Sequence, residues 1–99
     1  MNPCTSSGAK TADGVIYAKP CLLHAVVLNT ATTAAATAIL YDNSSAASGT
    51  KVLTVAQQAG TSAQGLHQHF DAPIICNNGI YLDISGAGAE CYVMYSPLY

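Results

Sequence analysis

In the stretch Ile80-Tyr81-Leu82-Asp83-Ile84 the chain alternates between aliphatic residues and residues with a polar tip. Side chains along a strand point to opposite faces with a period of two, so Ile80, Leu82 and Ile84 are predicted to face inward and Tyr81 and Asp83 outward. Runs of Val, Ile, Leu, Tyr and Thr, which fit a pleated and half-buried surface, predict further strands. These fall at Val15–Ala18, Cys21–Asn29, Thr37–Asp42, Lys51–Ala56, Leu66–Asp71, Ile74–Cys76, Ile80–Ser85 and Cys91–Ser96. Turn-forming clusters punctuate the chain about every ten residues, a spacing that belongs to an all-β sandwich or barrel rather than to helices.

The pattern changes in two places. Cys21–Leu28 is apolar at every position except His24. A strand apolar on both faces is central and covered on two sides, so this one is expected to meet the core on one face and a neighbour on the other. Thr30–Ala38 is rich in alanine, the strongest helix former, but its threonines interrupt any 3.6-residue stripe. A loop running into a strand is expected there, with a short helix as the alternative. Between Cys76 and Ile80, Asn77-Asn78-Gly79 reads as a tight hairpin reversal, because Asn and Gly tolerate positive φ; Ser85–Ala89 reads as a second. Asp42–Thr50 lacks apolar periodicity and is expected to cross the surface as a small-residue loop.

Composition narrows what such a domain can do. The 99 residues suffice for one domain burying about two thirds of its unfolded surface. Charged residues make up 8% of the chain, against about 25% in ordinary domains. Thr, Ser, Asn, Gln and Ala must therefore clothe the outside, a skin suited to a protein that meets other copies or a larger assembly. Net charge is -2, with Lys10, Lys19 and Lys51 the cations and no arginine, so no footprint for phosphates exists and nucleic-acid binding is not expected. The apolar runs fall short of the about 20 residues needed to span a bilayer, so no membrane partner is expected either. The opening MNPCTSSGAKT lacks the basic-then-apolar pattern of an export signal, which makes cytoplasmic residence with reduced thiols the default. Cys21, Cys76 and Cys91 sit in apolar runs and are expected to pack as small hydrophobes; Cys4 is expected to be exposed.

Candidate chemistry is thin. In Leu66-His67-Gln68-His69-Phe70 a strand puts His67 and His69 on one face with Asp71, and two imidazoles so spaced can chelate. Zinc wants four ligands, and the sequence defines no complement, so a polar strand face at a subunit contact is the preferred reading and no metal or other cofactor is assigned. Cys21 and His24 have C-x-x-H spacing, but residues three apart in a strand project to opposite faces. Asp13, Asp42, Asp71, Asp83 and Glu90 are scattered, with no nucleophile elbow and no phosphate-binding loop, so no catalytic residue is assigned and the chain is not read as an enzyme. Six of the seven aromatics are tyrosines, Tyr17, Tyr41, Tyr81, Tyr92, Tyr95 and Tyr99. A ring with a polar tip suits sites apolar at one end and wet at the other, at interfaces or at the edge of a core.

The order of these segments carries a resemblance. Ala38-Ile-Leu-Tyr-Asp-Asn-Ser-Ser-Ala-Ala-Ser-Gly-Thr50, then Val52–Val55, Phe70–Ile74, Asn78–Asp83, a Gly-Ala-Gly turn and Tyr92–Tyr95 together resemble small β-sandwich structural proteins of tailed bacteriophages. The resemblance runs from about Gly14 onward and is one of strands and turns, so it carries over no functional residues. It implies a single jelly-roll-like antiparallel β-sandwich of about eight short strands over residues 13–99, preceded by an N-terminal arm over 1–12. It also implies a virion component, assembled in the host bacterial cytoplasm, that works as a capsid decoration or cement protein, a homotrimer bound to the major capsid protein. The low charge agrees independently, since sheet edges covered by other subunits need fewer guarding charges. A tail or fibre module contacting host glycans is the first alternative, and a metal-dependent or hydrolytic enzyme the second.

Overall fold

The computed structural model describes residues 4–30, 35–57, 66–86 and 88–98; the side chains of Thr30, Gln57 and residues 66–71 lie outside that description. Eight strands are present among these residues: β1 (Thr5–Ser6), β2 (Gly14–Tyr17), β3 (Cys21–Thr30), β4 (Ala36–Tyr41), β5 (Lys51–Gln57), β6 (Leu66–Cys76), β7 (Ile80–Ser85) and β8 (Ala89–Pro97). They form two four-stranded antiparallel sheets, ordered β1-β8-β3-β6 and β2-β7-β4-β5. Only β4 and β5 are consecutive partners in one sheet; each of the other connections crosses between sheets. Strands pair from the outside in, β1 with β8, β2 with β7, β3 with β6 and β4 with β5, as though one long two-stranded ribbon were laid alternately on two faces.

The two sheets share one core. Leu23, Val26, Leu28, Cys91 and Val93 from one sheet pack with Ala38, Leu40, Val55, Ile80 and Leu82 from the other. The molecule measures 41 × 29 × 19 Å, and its shortest dimension fits two sheets stacked about 10 Å apart with side chains on both outsides. The alternation of β7 is as expected: Ile80, Leu82 and Ile84 are buried, Tyr81 and Asp83 half-buried. Tyr17 of β2 and Tyr95 of β8 bring their rings to 5.1 Å across the gap between sheets, tilted by 35°.

The strand pattern departs from expectation in its details, and each departure has a local cause. Leu66–Asp71 and Ile74–Cys76, expected as two strands, are one strand with a large irregularity. Leu23 pairs with Ile74 and Ala25 with His69, so residues 70–73 of β6 bulge out of the ladder. Pro73 falls in that bulge, where its missing N–H costs no ladder bond. On the other side of β3, Leu23 pairs with Tyr95 and Ala25 with Met94, which makes His24 an extra residue. That bulge flips the inward set from Cys21 and Leu23 to Val26 and Leu28.

Asn77–Gly79 and Ser85–Ala89, expected as hairpin turns, both carry the chain from one sheet to the other. A tight reversal looks alike in sequence whether the next strand pairs beside the last or crosses above it. Gly79 has φ +144°, and a Cβ there would collide with the Tyr17 carbonyl oxygen; neither Asn77 nor Asn78 takes a positive φ. Gly86 at φ +118° would place a Cβ 2.7 Å from Ala36 Cα. Both corners are thus pressed against a neighbouring strand, an approach only glycine permits.

The N-terminal segment brings an unexpected strand. Thr5 and Ser6 pair with Tyr95 and Met94, and Lys10 bridges Cys91. Between them the Ser7 hydroxyl accepts from the Val93 N–H at 2.9 Å while Ser7 N–H donates to Val93 O at 2.8 Å. Residues 5–10 thereby run along the outer edge of β8, with a side-chain oxygen filling a rung. Residues 1–3 of the 1–12 segment, and residues 31–34 of the alanine-rich stretch, lie outside the described residues. Residues 42–50 form a loop exposed from Ser44 on. Asn43 organises it, its Oδ1 accepting from Ser45 and Ala46 N–H at 2.8 and 2.9 Å. No helix among the described residues is long and apolar enough to cross a membrane.

Candidate functional site

Two of the described carboxylates are occupied in holding the fold together. Asp42, at the end of β4, accepts from the N–H groups of Asn78 at 2.8 Å and Asn77 at 3.2 Å. It thereby fastens the corner between β6 and β7 to the other sheet's hairpin. Asp13 Oδ1 accepts from Ile84 N–H at 2.8 Å, supplying a rung just beyond the start of the short edge strand β2. Asp83 and Glu90 are half-buried on β7 and β8. A shallow depression of about 300 Å³ follows residues 9–16, bordered by Lys10, Thr11 and Asp13, without a nucleophile and base converging on it.

Among the described residues, His24 and Ser96 are a hydrogen-bonded pair of catalytic residue types. His24 Nε2 lies 2.8 Å from Ser96 Oγ, and Ser96, on the side of the sheet turned away from the core, is 5% exposed. A serine hydroxyl beside an imidazole is the first half of a nucleophile and base arrangement. The second half is missing: among the described residues no carboxylate orients the other ring nitrogen, and the depression lies along residues 9–16 instead. The contact satisfies a buried hydroxyl, and the bulge at His24 is what turns the imidazole toward it.

Cys21 and His24 do not join in a metal site. Cys21 is wholly buried on the inner face, directly opposite Cys76, while His24 is bonded to Ser96. No group of three or more His, Cys, Asp or Glu that could hold a metal occurs among the described residues. The backbones of His67 and His69 pair with Val27 and Ala25. Their side chains and that of Asp71 lie outside the described residues. Cys4 is exposed and Cys21, Cys76 and Cys91 are buried, as their sequence contexts predict. Burial pushes the Cys91 thiol up to about 11. Donation from Cys76 holds the Cys21 thiol below its ordinary value, and the same bond with burial drives Cys76 well above it.

What remains is surface, and it is unequal. Directly paired residues share a face, so the ladder assigns Leu22, Ile75 and Ser96 to one row outside the sheet β1-β8-β3-β6. Ala25 with Met94 and Val27 with Tyr92 form the next rows. Ile75 is 55% exposed; Leu22, Val27, Tyr92 and Met94 are half-buried. Among the described side chains this outside carries Leu22, Ile75, Ala25, Met94, Val27 and Tyr92, with Ser6 beside Met94, His24 bonded to Ser96, and Asn29 opposite Glu90 at one end; the backbones of His69 and His67 continue the Ala25 and Val27 rows. The sequence hinted at this face through the doubly apolar run Cys21–Leu28. It did not reveal that Tyr92, Met94 and Ile75 complete the face, because that depends on register. Comparisons with protein-family models, with curated proteins and with solved structures found no match to this chain.

Proposed function

We propose that this chain is a virion structural protein of a tailed bacteriophage, a decoration or cement protein that binds the assembled head through the apolar outside of the sheet β1-β8-β3-β6. The observation that carries this reading is that face: among the described side chains, Leu22, Ile75, Val27, Tyr92 and Met94 form a neighbouring apolar set on the side of the sheet turned away from the core. Contiguous apolar surface of that kind marks a place where another protein sits. Of the chain's 5267 Å² of accessible surface, a standard interface takes about 800 Å² per partner, on the order of a sixth.

The strand order supports the finer fold assignment. A ribbon of four antiparallel pairs wrapped so that its segments alternate between sheets is the winding of a jelly roll, an architecture common in capsid proteins. In this reading the protein is a homotrimer whose partner is the major capsid protein, assembled in the host bacterial cytoplasm and retained in the virion. It performs no reaction. It stabilises the shell by mass action, since a ligand that binds only the assembled form shifts the equilibrium toward that form.

The test is co-sedimentation of the purified chain with assembled heads and, separately, with unassembled coat protein. Binding to heads alone, with many copies per particle, supports the reading. Recovery from virions at only a few copies per particle, on the tail, supports the glycan-contacting tail module instead. Release of shells and coat protein alike, with no particle binding, defeats both.

A further inference from the structure

Cys21 opens β3 and Cys76 closes β6, and the register sets them directly opposite one another. Directly opposed residues in an antiparallel pair have Cα atoms roughly 4.5–5.5 Å apart, inside the roughly 4.4–6.8 Å that a disulfide bridges. Both side chains point to the inner face and both are wholly buried, so the two thiols face each other across one rung of the ladder. We propose that Cys21 and Cys76 form an oxidation site that closes into an intrachain disulfide when the protein meets a peroxide, stapling the end of β6 to the start of β3.

The pair has a built-in direction. Cys76 donates its S–H to Cys21, which favours the Cys21 thiolate and disfavours that of Cys76. Cys21 is thus the attacking sulfur and Cys76 the resolving one. The Cys21 thiolate attacks one oxygen of hydrogen peroxide; the O–O bond breaks, hydroxide leaves, and Cys21 becomes a sulfenic acid. Cys76 sulfur then attacks Cys21 sulfur, the S–O bond breaks, and the departing hydroxide takes up the Cys76 proton as water. Two thiols and one peroxide give one disulfide and two waters, with two electrons passing from sulfur to peroxide.

Access favours a small oxidant. The pair sits where two strands end, beside the exposed corner at Asn77 and Asn78, and strand ends open locally far more often than strand centres. Cys91 lacks such a partner: Leu28 stands opposite it on β3, and burial keeps its thiol protonated.

The experiment uses the full chain carrying Cys4→Ser, which removes the exposed thiol that would link separate molecules. After treatment with hydrogen peroxide, unreduced peptide mapping is expected to show the Cys21 and Cys76 peptides joined, with Cys91 still open to alkylation once unfolded. The closed loop of more than fifty residues is expected to raise Tm by roughly 10–20 °C, reversed by a dithiol reductant. With Cys76→Ser added, oxidation is expected to halt at a Cys21 sulfenic acid that dimedone captures. Full alkylation of Cys21 and Cys76 after peroxide treatment overturns the proposal, as does linkage through Cys91. The mapping in the Cys4→Ser chain decides this even if the Cys76→Ser protein does not fold.

Discussion

The two sheets share one core, yet they turn different faces outward. Outside β3, β8 and β6 stand Leu22, Ala25, Val27, Ile75, Tyr92 and Met94. Outside β2, β7, β4 and β5 the corresponding rows are Thr37 with Ser85 and Ala56, Ile39 with Asp83 and Thr54, and Tyr81 with Val15, Tyr41 and Lys51, Val15 being 43% exposed. The core dictates only the inner positions, which are apolar in both sheets for the same reason: burial of apolar surface drives folding. Outer positions are free to answer to whatever lies outside. Each face carries one large exposed aliphatic residue, Val15 or Ile75, but the described apolar side chains are more numerous on the first face, while Thr37, Thr54, Asp83, Ser85 and Lys51 interrupt the second, and a neighbour on the first face would account for that difference.

A charge placed on each face breaks or sharpens that contrast. Val27→Asp puts a carboxylate in the middle of the apolar rows, where a shell partner would have to bury it unpaired. Attachment to heads is expected to weaken by about 2–5 kcal/mol in a co-sedimentation titration, while the domain stays folded by far-UV circular dichroism. Unchanged attachment would remove this face from the interface.

Alkaline pH probes the inner side of the same sheet, at Cys91 on β8. Cys91 has its folded pKa raised from 9.0 to about 11, so its contribution is fully present below pH 9.0 and lost as pH climbs through about 11. The folded state holds the proton that the unfolded state has released, so stability falls across that window, by about 2–3 kcal/mol. Urea unfolding at pH 8 and pH 11 measures it, and Cys91→Ala is expected to reduce the difference by that amount, leaving the fall that the raised Cys76 thiol contributes in the same direction.

Asp42→Ala tests whether the corner that joins the two sheets is held by its carboxylate. Loss of the acceptor for Asn77 and Asn78 N–H is expected to cost about 1–2 kcal/mol in urea unfolding, with Asp42→Asn recovering part of it. The smallest effect is expected from Thr54→Asp on the exposed edge strand β5. Stability there should move by less than about 0.5 kcal/mol, and attachment to heads should match the unsubstituted chain. A loss equal to that of Val27→Asp would erase the distinction between faces.

Periodicity made the local elements legible and left their arrangement open. The inward set of β7, the burial of Cys21, Cys76 and Cys91, and the exposed loop after Asp42 all follow from which residues alternate and which cluster. Bulges do not: His24 and residues 70–73 interrupt their ladders because of what lies beside them, so one strand was expected as two. The edge strand at Thr5–Ser6 has no apolar signature, being two exposed polar residues held by β8 and by the Ser7 hydroxyl. Corners at Gly79 and Gly86 were legible as reversals, while their crossing between sheets depends on partners distant in sequence. For the candidate face the sequence supplied one strand of three, and the remaining residues joined it only through register.

The unequal outer faces lead to one decisive measurement, hydroxyl-radical footprinting of the chain free in solution and bound to assembled heads. Oxidation of Met94, Tyr92 and Ile75 is expected to fall sharply on binding, while Tyr81 on the opposite sheet reacts as before. Protection of Tyr81 with Met94 and Tyr92 unchanged, or no protection of either set, would contradict the assignment of the β1-β8-β3-β6 face as the surface that meets the shell.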